Sequence, residues 1–256
     1  MRSLARQPHE SEWVYSTTLS RRLLTPLSEY VHDLPSPSCP AIELCIAACG
    51  YAFNPVIFPC WPILVYVTSL SCGGMKRSSS WSNAWRGGHR AATNDAALYA
   101  TNVTIAYLAS ALVTLAFTEI GKASFATTRP PTRSKDKSRR YGGLVASLKS
   151  KHSFPSGDCS QAMNLCMMLW MYVPPPALND DADGDGGMDG GMLQFWRNVV
   201  LFGMLLPGVA FARVYYRCHW IEDCLGGMLL SCVIHRTIIP VIATRIKTGS
   251  AYWFEF

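Results

Sequence analysis

The sequence predicts an all-α protein, folded as a six-helix transmembrane bundle. Hydrophobic residues make up 49% of the 256-residue chain and charged residues only 16%, well below the roughly 25% of an average soluble domain. The run Ala96–Ile120 carries no charge between Asp95 and Glu119. About 25 helical residues at about 1.5 Å each are enough to cross a bilayer. Further apolar runs of helical length follow, parted by polar, Pro-rich or Gly-rich stretches. The mean hydropathy of +0.12 is high for a soluble enzyme and low for a compact membrane protein, because the polar chain ends dilute it.

The same composition excludes several classes. Disorder needs low hydrophobicity and high charge. There is no Gly-X-Y period, no sustained heptad and no short Cys-dense frame. The ten cysteines include no Cys-x-x-Cys pair, so no structural zinc site is expected, and a free Cys in an apolar run acts as a small hydrophobe. The net charge of +6 comes from basic residues clustered near the middle, which is not a nucleic-acid footprint.

Taken in order, residues 1–40 read as a polar, flexible tail with no secretory h-region. The membrane domain is expected over 41–247, with an acidic Gly-rich loop at 177–191, and 248–256 form a C-terminal tail. Ala41–Leu70 is broken by Asn54-Pro55, Pro59 and Pro62, so it reads as two short helices around a turn. Ala96–Ile120 is the third helix and Cys159–Val173, stopped by Pro174-Pro175-Pro176, the fourth. Asn198–Ala212 is the fifth, and Trp220 to about Ala243 the sixth. Gly73–Asn94, Lys122–Lys151 and Pro174–Met192 read as loops. In the last of these, Asp181, Asp183, Asp185, Gly186 and Asp189 match five positions of a calcium loop. Met192 stands where the bidentate Glu belongs, so a flexible acidic loop is expected.

Three clusters stand at helix ends. They are Lys122-x6-Arg129-Pro130, then Ser153-Phe154-Pro155-Ser156-Gly157-Asp158, then Arg213-x3-Arg217-Cys218-His219-x2-Glu222-Asp223. In a six-span chain the end of helix three, the start of four, the end of five and the start of six all face one side. Lys122, Arg129 and Arg213 are cations, and an Arg fork matches phosphate oxygens. Ser156 and Gly157 lead into a helix start, whose N–H groups favour an anion. His219 and Asp223 are four apart and share a helix face. A carboxylate on one imidazole nitrogen leaves the other as nucleophile. These parts describe a phosphoryl-transfer site working through phosphohistidine, with no metal or cofactor required.

Lys-x6-Arg-Pro, Pro-Ser-Gly and Arg-x5-His-x3-Asp, over roughly residues 41–243, resemble the three-part signature of the type 2 phosphatidic acid phosphatase / vanadium haloperoxidase superfamily. The resemblance implies a six-helix core, with Lys122, Arg129, Ser156, Gly157 and Arg213 on the phosphate. It makes His219 the nucleophile and Asp223 its orienting group. The family pattern continues Pro-Ser-Gly-His, whereas this chain has Asp158 there, and Ala212 replaces the usual Ser before Arg213. Asp158 reads either as the general acid or as an N-cap that forms a capping box with Gln161.

A site at a membrane face takes amphiphiles by lateral diffusion, so the expected substrate is a lipid phosphate or diphosphate, phosphatidate-like or polyisoprenyl. A catalytically silent phospholipid binder, a lipid phosphotransferase and a soluble vanadate-holding haloperoxidase are the alternatives. The motif-side loops hold 11 basic residues and the opposite side 12. Setting aside Lys122, Arg129 and Arg213 leaves 8 against 12. That excess puts the termini in the cytoplasm and the site on the lumenal or outer face of an endomembrane or plasma membrane.

Overall fold

Residues 19–53, 57–75, 88–130, 152–173 and 190–247 are described by the computed structural model, and every regular element among them is a helix. Helix α1 is Leu19–Asp33, α2 Pro40–Tyr51, α3 Cys60–Met75, α4 Gly88–Phe125 and α5 Gly157–Tyr172. Helix α6, Gly190–Asn198, runs through a π-helical stretch, Val199–Leu205, into α7, Leu206–Tyr215, and α8 is Ile221–Lys247. The acidic loop and most of the basic loop lie outside the described residues.

The two helices expected in 41–70 are present as α2 and α3. The fourth and sixth apolar runs match α5 and α8 within a few residues. The fifth is longer than expected, because the helical rod starts at Gly190 inside the Gly-rich stretch. Its wide turn has a local cause: Pro207, in the first turn of α7, has no N–H to give to the carbonyl of Gly203, so the regular ladder cannot run through. The Leu201 carbonyl in that stretch takes the Cys166 thiol at 3.4 Å.

Two further expectations are corrected: the third helix begins at Gly88, inside the stretch Gly73–Asn94 expected as a loop, and the N-terminal segment is not all tail. Residues 19–33 are not a flexible tail but helix α1, packed on α7 and α8 with Ser28 and His32 buried. Tertiary contacts override its low apolar content: Ser28 Oγ accepts the Ile221 N–H at 3.1 Å, and Asp33 pairs with Arg217 at 2.5 Å.

Helix α5 is the hub, packed against α4, α7 and α8, with α3 on the other flank of α4. Nearly every side chain from Cys159 to Met168 is buried. The packing of α4 reverses the soluble pattern. Ala96, Ala100, Val103, Tyr107, Ser110, Thr114 and Thr118 face inward, while Leu98, Ile105, Leu108, Leu112 and Leu115 face out. Small and polar groups line the contact and large apolar ones point away, as in helices that pack within lipid. Among the described residues two helical runs, Ala96–Phe125 and Met192–Tyr215, are long and apolar enough to cross a membrane.

Candidate phosphate site

Four helix ends meet at one pole of the bundle, where α4 and α7 end and α5 and α8 begin. Helix α4 delivers Lys122 in its last turn, 14% exposed at the side chain and 2.6 Å from Glu119. The chain then turns through Ala126, whose φ of 45° is left-handed. An alanine there costs about 1 kcal/mol or more, which glycine would not. Residues 127–129 run antiparallel to the 152–153 segment: Ser153 N–H donates to the Thr127 carbonyl at 3.0 Å, and Thr128 bridges His152. This brings Arg129 across to the third cluster, where Nη1 donates to the Cys218 carbonyl at 2.6 Å.

Helix α5 starts with Ser156 as its N-cap, Oγ accepting the Cys159 N–H at 3.5 Å. The capping-box reading of Asp158 is therefore corrected. Gln161 does not close such a box either, since its amide donates to the Ala111 carbonyl at 3.0 Å. Asp158, one residue into the helix, pairs with Arg213. The open face of Gly157 lies beside Lys122: a Cβ added there would come 3.8 Å from Nζ.

Helix α7 carries Arg213 in its last turn and ends through Arg217 at a φ of 56°, the second left-handed non-glycine at this pole. That turn points the chain into Cys218 and His219. The His219 ring is 3% exposed. Nδ1 donates to the Ser153 carbonyl at 2.9 Å, with the Asp223 carboxylate 3.7 Å away. Asp223 accepts the Trp220 N–H at 2.9 Å, and its own carbonyl accepts the Ser156 N–H at 2.9 Å. It thus caps α8 and fastens the two loops together while keeping a negative charge beside the imidazole. Burial holds the His219 pKa below its usual value; Asp223 pulls it up, and Arg129 and Arg213 push it further down. Burial likewise lowers the Arg129 guanidinium, with Arg213 acting the same way and Cys218, Asp223 and Asp158 opposing.

All eight residues singled out in the sequence converge here: Lys122, Arg129, Ser156, Gly157, Asp158, Arg213, His219 and Asp223. The assignment of His219 to Asp223 alone was incomplete, because the Ser153 carbonyl makes the closer contact. A proton on Nδ1 leaves the Nε2 lone pair for chemistry. Sequence reasoning also missed two glycines that set the loop's position. A Cβ on Gly226 would meet the Phe154 ring at 2.3 Å, and one on Gly227 the Ser156 carbonyl oxygen at 2.4 Å. A Gly-Gly pair inside an apolar helix was the available signal.

A family model described as the PAP2 superfamily matches residues 103–247, more than half of the chain and all three clusters. No curated protein and no solved structure is detectably similar to the chain.

Proposed function

The chain belongs to the PAP2 superfamily, whose activity is of the phosphatase type, and from that membership and the site's geometry we propose an integral membrane phosphatase acting on a lipid phosphate or diphosphate. The observation that carries this reading is a buried imidazole with Nδ1 held by the Ser153 carbonyl and two guanidiniums in its field. Arg129, Arg213 and Lys122 bind the phosphoryl oxygens, helped by N–H groups at the start of α5 around Ser156 and Gly157. His219 Nε2 attacks phosphorus. The P–N bond forms as the bond to the leaving oxygen breaks, and that oxygen takes a proton from Asp158 in its acid form. Water then attacks the phosphohistidine and returns a proton to Asp158, which releases phosphate and restores the neutral ring. The fixed cations supply the charge stabilisation, so no metal takes part.

A membrane-spanning bundle over residues 41–247 belongs to the same proposal. The outward leucines of α4 and the two long apolar runs support it. The expected placement of the N-terminal segment opposite the site is corrected: α1 docks beside the His219 loop, through Ser28 on Ile221 and Asp33 on Arg217, and so lies on the site's own face. The site then opens at a bilayer surface, which suits phosphatidate-like and polyisoprenyl diphosphate substrates alike.

The test uses purified full-length protein in detergent with excess chelator and both substrate types. Wild type is expected to release phosphate, and His219→Ala to lose at least about 10³-fold in rate. The Asp158–Arg213 pair favours one competing reading, a silent phospholipid binder. No release from any substrate, with lipid binding equal in wild type and His219→Ala, would establish that reading instead. Adding an acceptor alcohol and finding a transferred head group would identify a phosphotransferase.

A further inference from the structure

We propose that Asp158 is a built-in occupant of the phosphate subsite, a carboxylate that a substrate's phosphoryl oxygen must displace from Arg213. This rests on the phosphatase reading above and says how the same site selects its ligand. Asp158 lies in the first turn of α5 and Arg213 in the last turn of α7, so the pair bridges a helix start and a helix end. Each charge suits the dipole of its own helix. The Arg213 side chain is 6% exposed and that of Asp158 21%. The guanidinium is therefore shielded, while the carboxylate is partly exposed and has room to leave it.

The charge balance supports the same conclusion. Lys122 is paired with Glu119 and Arg213 with Asp158, Asp223 lies 3.7 Å from the neutral His219 ring, and Arg129 donates to a carbonyl. A phosphoryl group that enters this arrangement must replace one carboxylate or lie against it. Of the three, Glu119 is 54% exposed and pairs with Lys122, three residues on along α4. Asp223 is buried and tied to the Trp220 and Ser156 N–H groups. Asp158 is the carboxylate placed to leave. Once displaced, the carboxylate can take the acidic proton of a monoanionic phosphate ester, and in that acid form it lies next to the bound phosphoryl group to protonate the leaving oxygen. Removing its charge should then tighten oxyanion binding while slowing turnover, a combination that a merely structural role would not produce.

The experiment titrates inorganic phosphate and tungstate into detergent-solubilised wild type, Asp158→Asn, Asp158→Ser and Arg213→Ala by calorimetry, with thermal melting as the folding control. The expected result is affinity raised about tenfold to a hundredfold in both Asp158 variants, from removal of a charged competitor, and lost in Arg213→Ala. Their kcat on a lipid phosphate falls at the same time. Unchanged or weaker affinity in folded Asp158 variants, with Arg213→Ala still abolishing binding, overturns the displacement and leaves the phosphate site standing. No oxyanion binding by any variant overturns both. Asp158→Ser decides the matter if Asp158→Asn melts early.

Discussion

His219 is held by a backbone carbonyl on one side and a carboxylate on the other, and the two contacts do different work. The Ser153 carbonyl can only accept, so it fixes the proton on Nδ1. Asp223 sits 3.7 Å off and favours positive charge on the ring when it forms. Burial outweighs that charge in the resting protein and keeps the ring neutral. The sign follows directly. An unfolded histidine takes its proton near pH 6.5, whereas the folded ring resists until lower pH. Its contribution to stability is present above about 6.5 and is lost as pH falls through the folded value. The acid limb of kcat/KM for a lipid phosphate is therefore expected below pH 6.5, and a limb at or above that value would contradict the burial argument. At this scale the sequence spoke clearly about side chains. Three cations, a Ser-Gly helix start and a His four residues before an Asp stood in readable order. It was silent about Ser153, since a backbone carbonyl belongs to every residue and only the path of the chain aims it.

The elements show why that path is so closely held. Helix α8 can lie against the 153–156 loop because Gly226 and Gly227 present no side chain to it. Placing a Cβ 2.4 Å from the Ser156 carbonyl oxygen must move backbone, and the Ser156 N–H bond to the Asp223 carbonyl with it. Gly227→Ala is accordingly expected to destabilise the protein by about 1–3 kcal/mol and to cost more activity than stability, because the loop also carries the His219 acceptor. Melting temperature and phosphate release, measured together, check this. A variant with both unchanged would mean that the contact is not maintained. Helix α1 grips the same region from outside. Ser28 caps Ile221, Asp33 pairs with Arg217, and the His32 and Trp220 rings lie 5.4 Å apart. The amphipathic pattern of residues 19–33 was a local sign of a helix with one buried face, but where it docks is set by partners nearly 200 positions away. The left-handed Ala126 and Arg217 are element-scale features too: each ends a helix that carries a cation and turns the following residues inward.

Among the described residues, several polar groups are buried inside the bundle beside its apolar core, while large apolar side chains cover much of its outer face. Ser110, Asn164 and His235 form a buried hydrogen-bonded set at 2.5 and 2.6 Å that ties α4, α5 and α8 together. Ser231 donates to the Ser160 carbonyl at 2.5 Å nearby. Leu112 and Leu229 are more than 60% exposed, with Leu225 and Val233 about half exposed beside Leu229 on α8. Such an outer face suits hydrocarbon. The protein is expected to stay in the membrane pellet through alkaline carbonate extraction. Leu112→Lys should lower the membrane-integrated yield, at an insertion cost of about 2.5–3.5 kcal/mol near a span's centre. Recovery of wild type in the soluble fraction would refute the spanning topology. The sequence alone determined the helical class, the apolar runs and the eight residues that converge, because helix length, hydropathy and motif spacing are local properties of the chain. Only the tertiary structure decided which carbonyl holds His219, that Asp158 rests on Arg213, and that α1 docks beside the loop. Those are contacts between residues far apart in the chain, and a local pattern does not encode their distances.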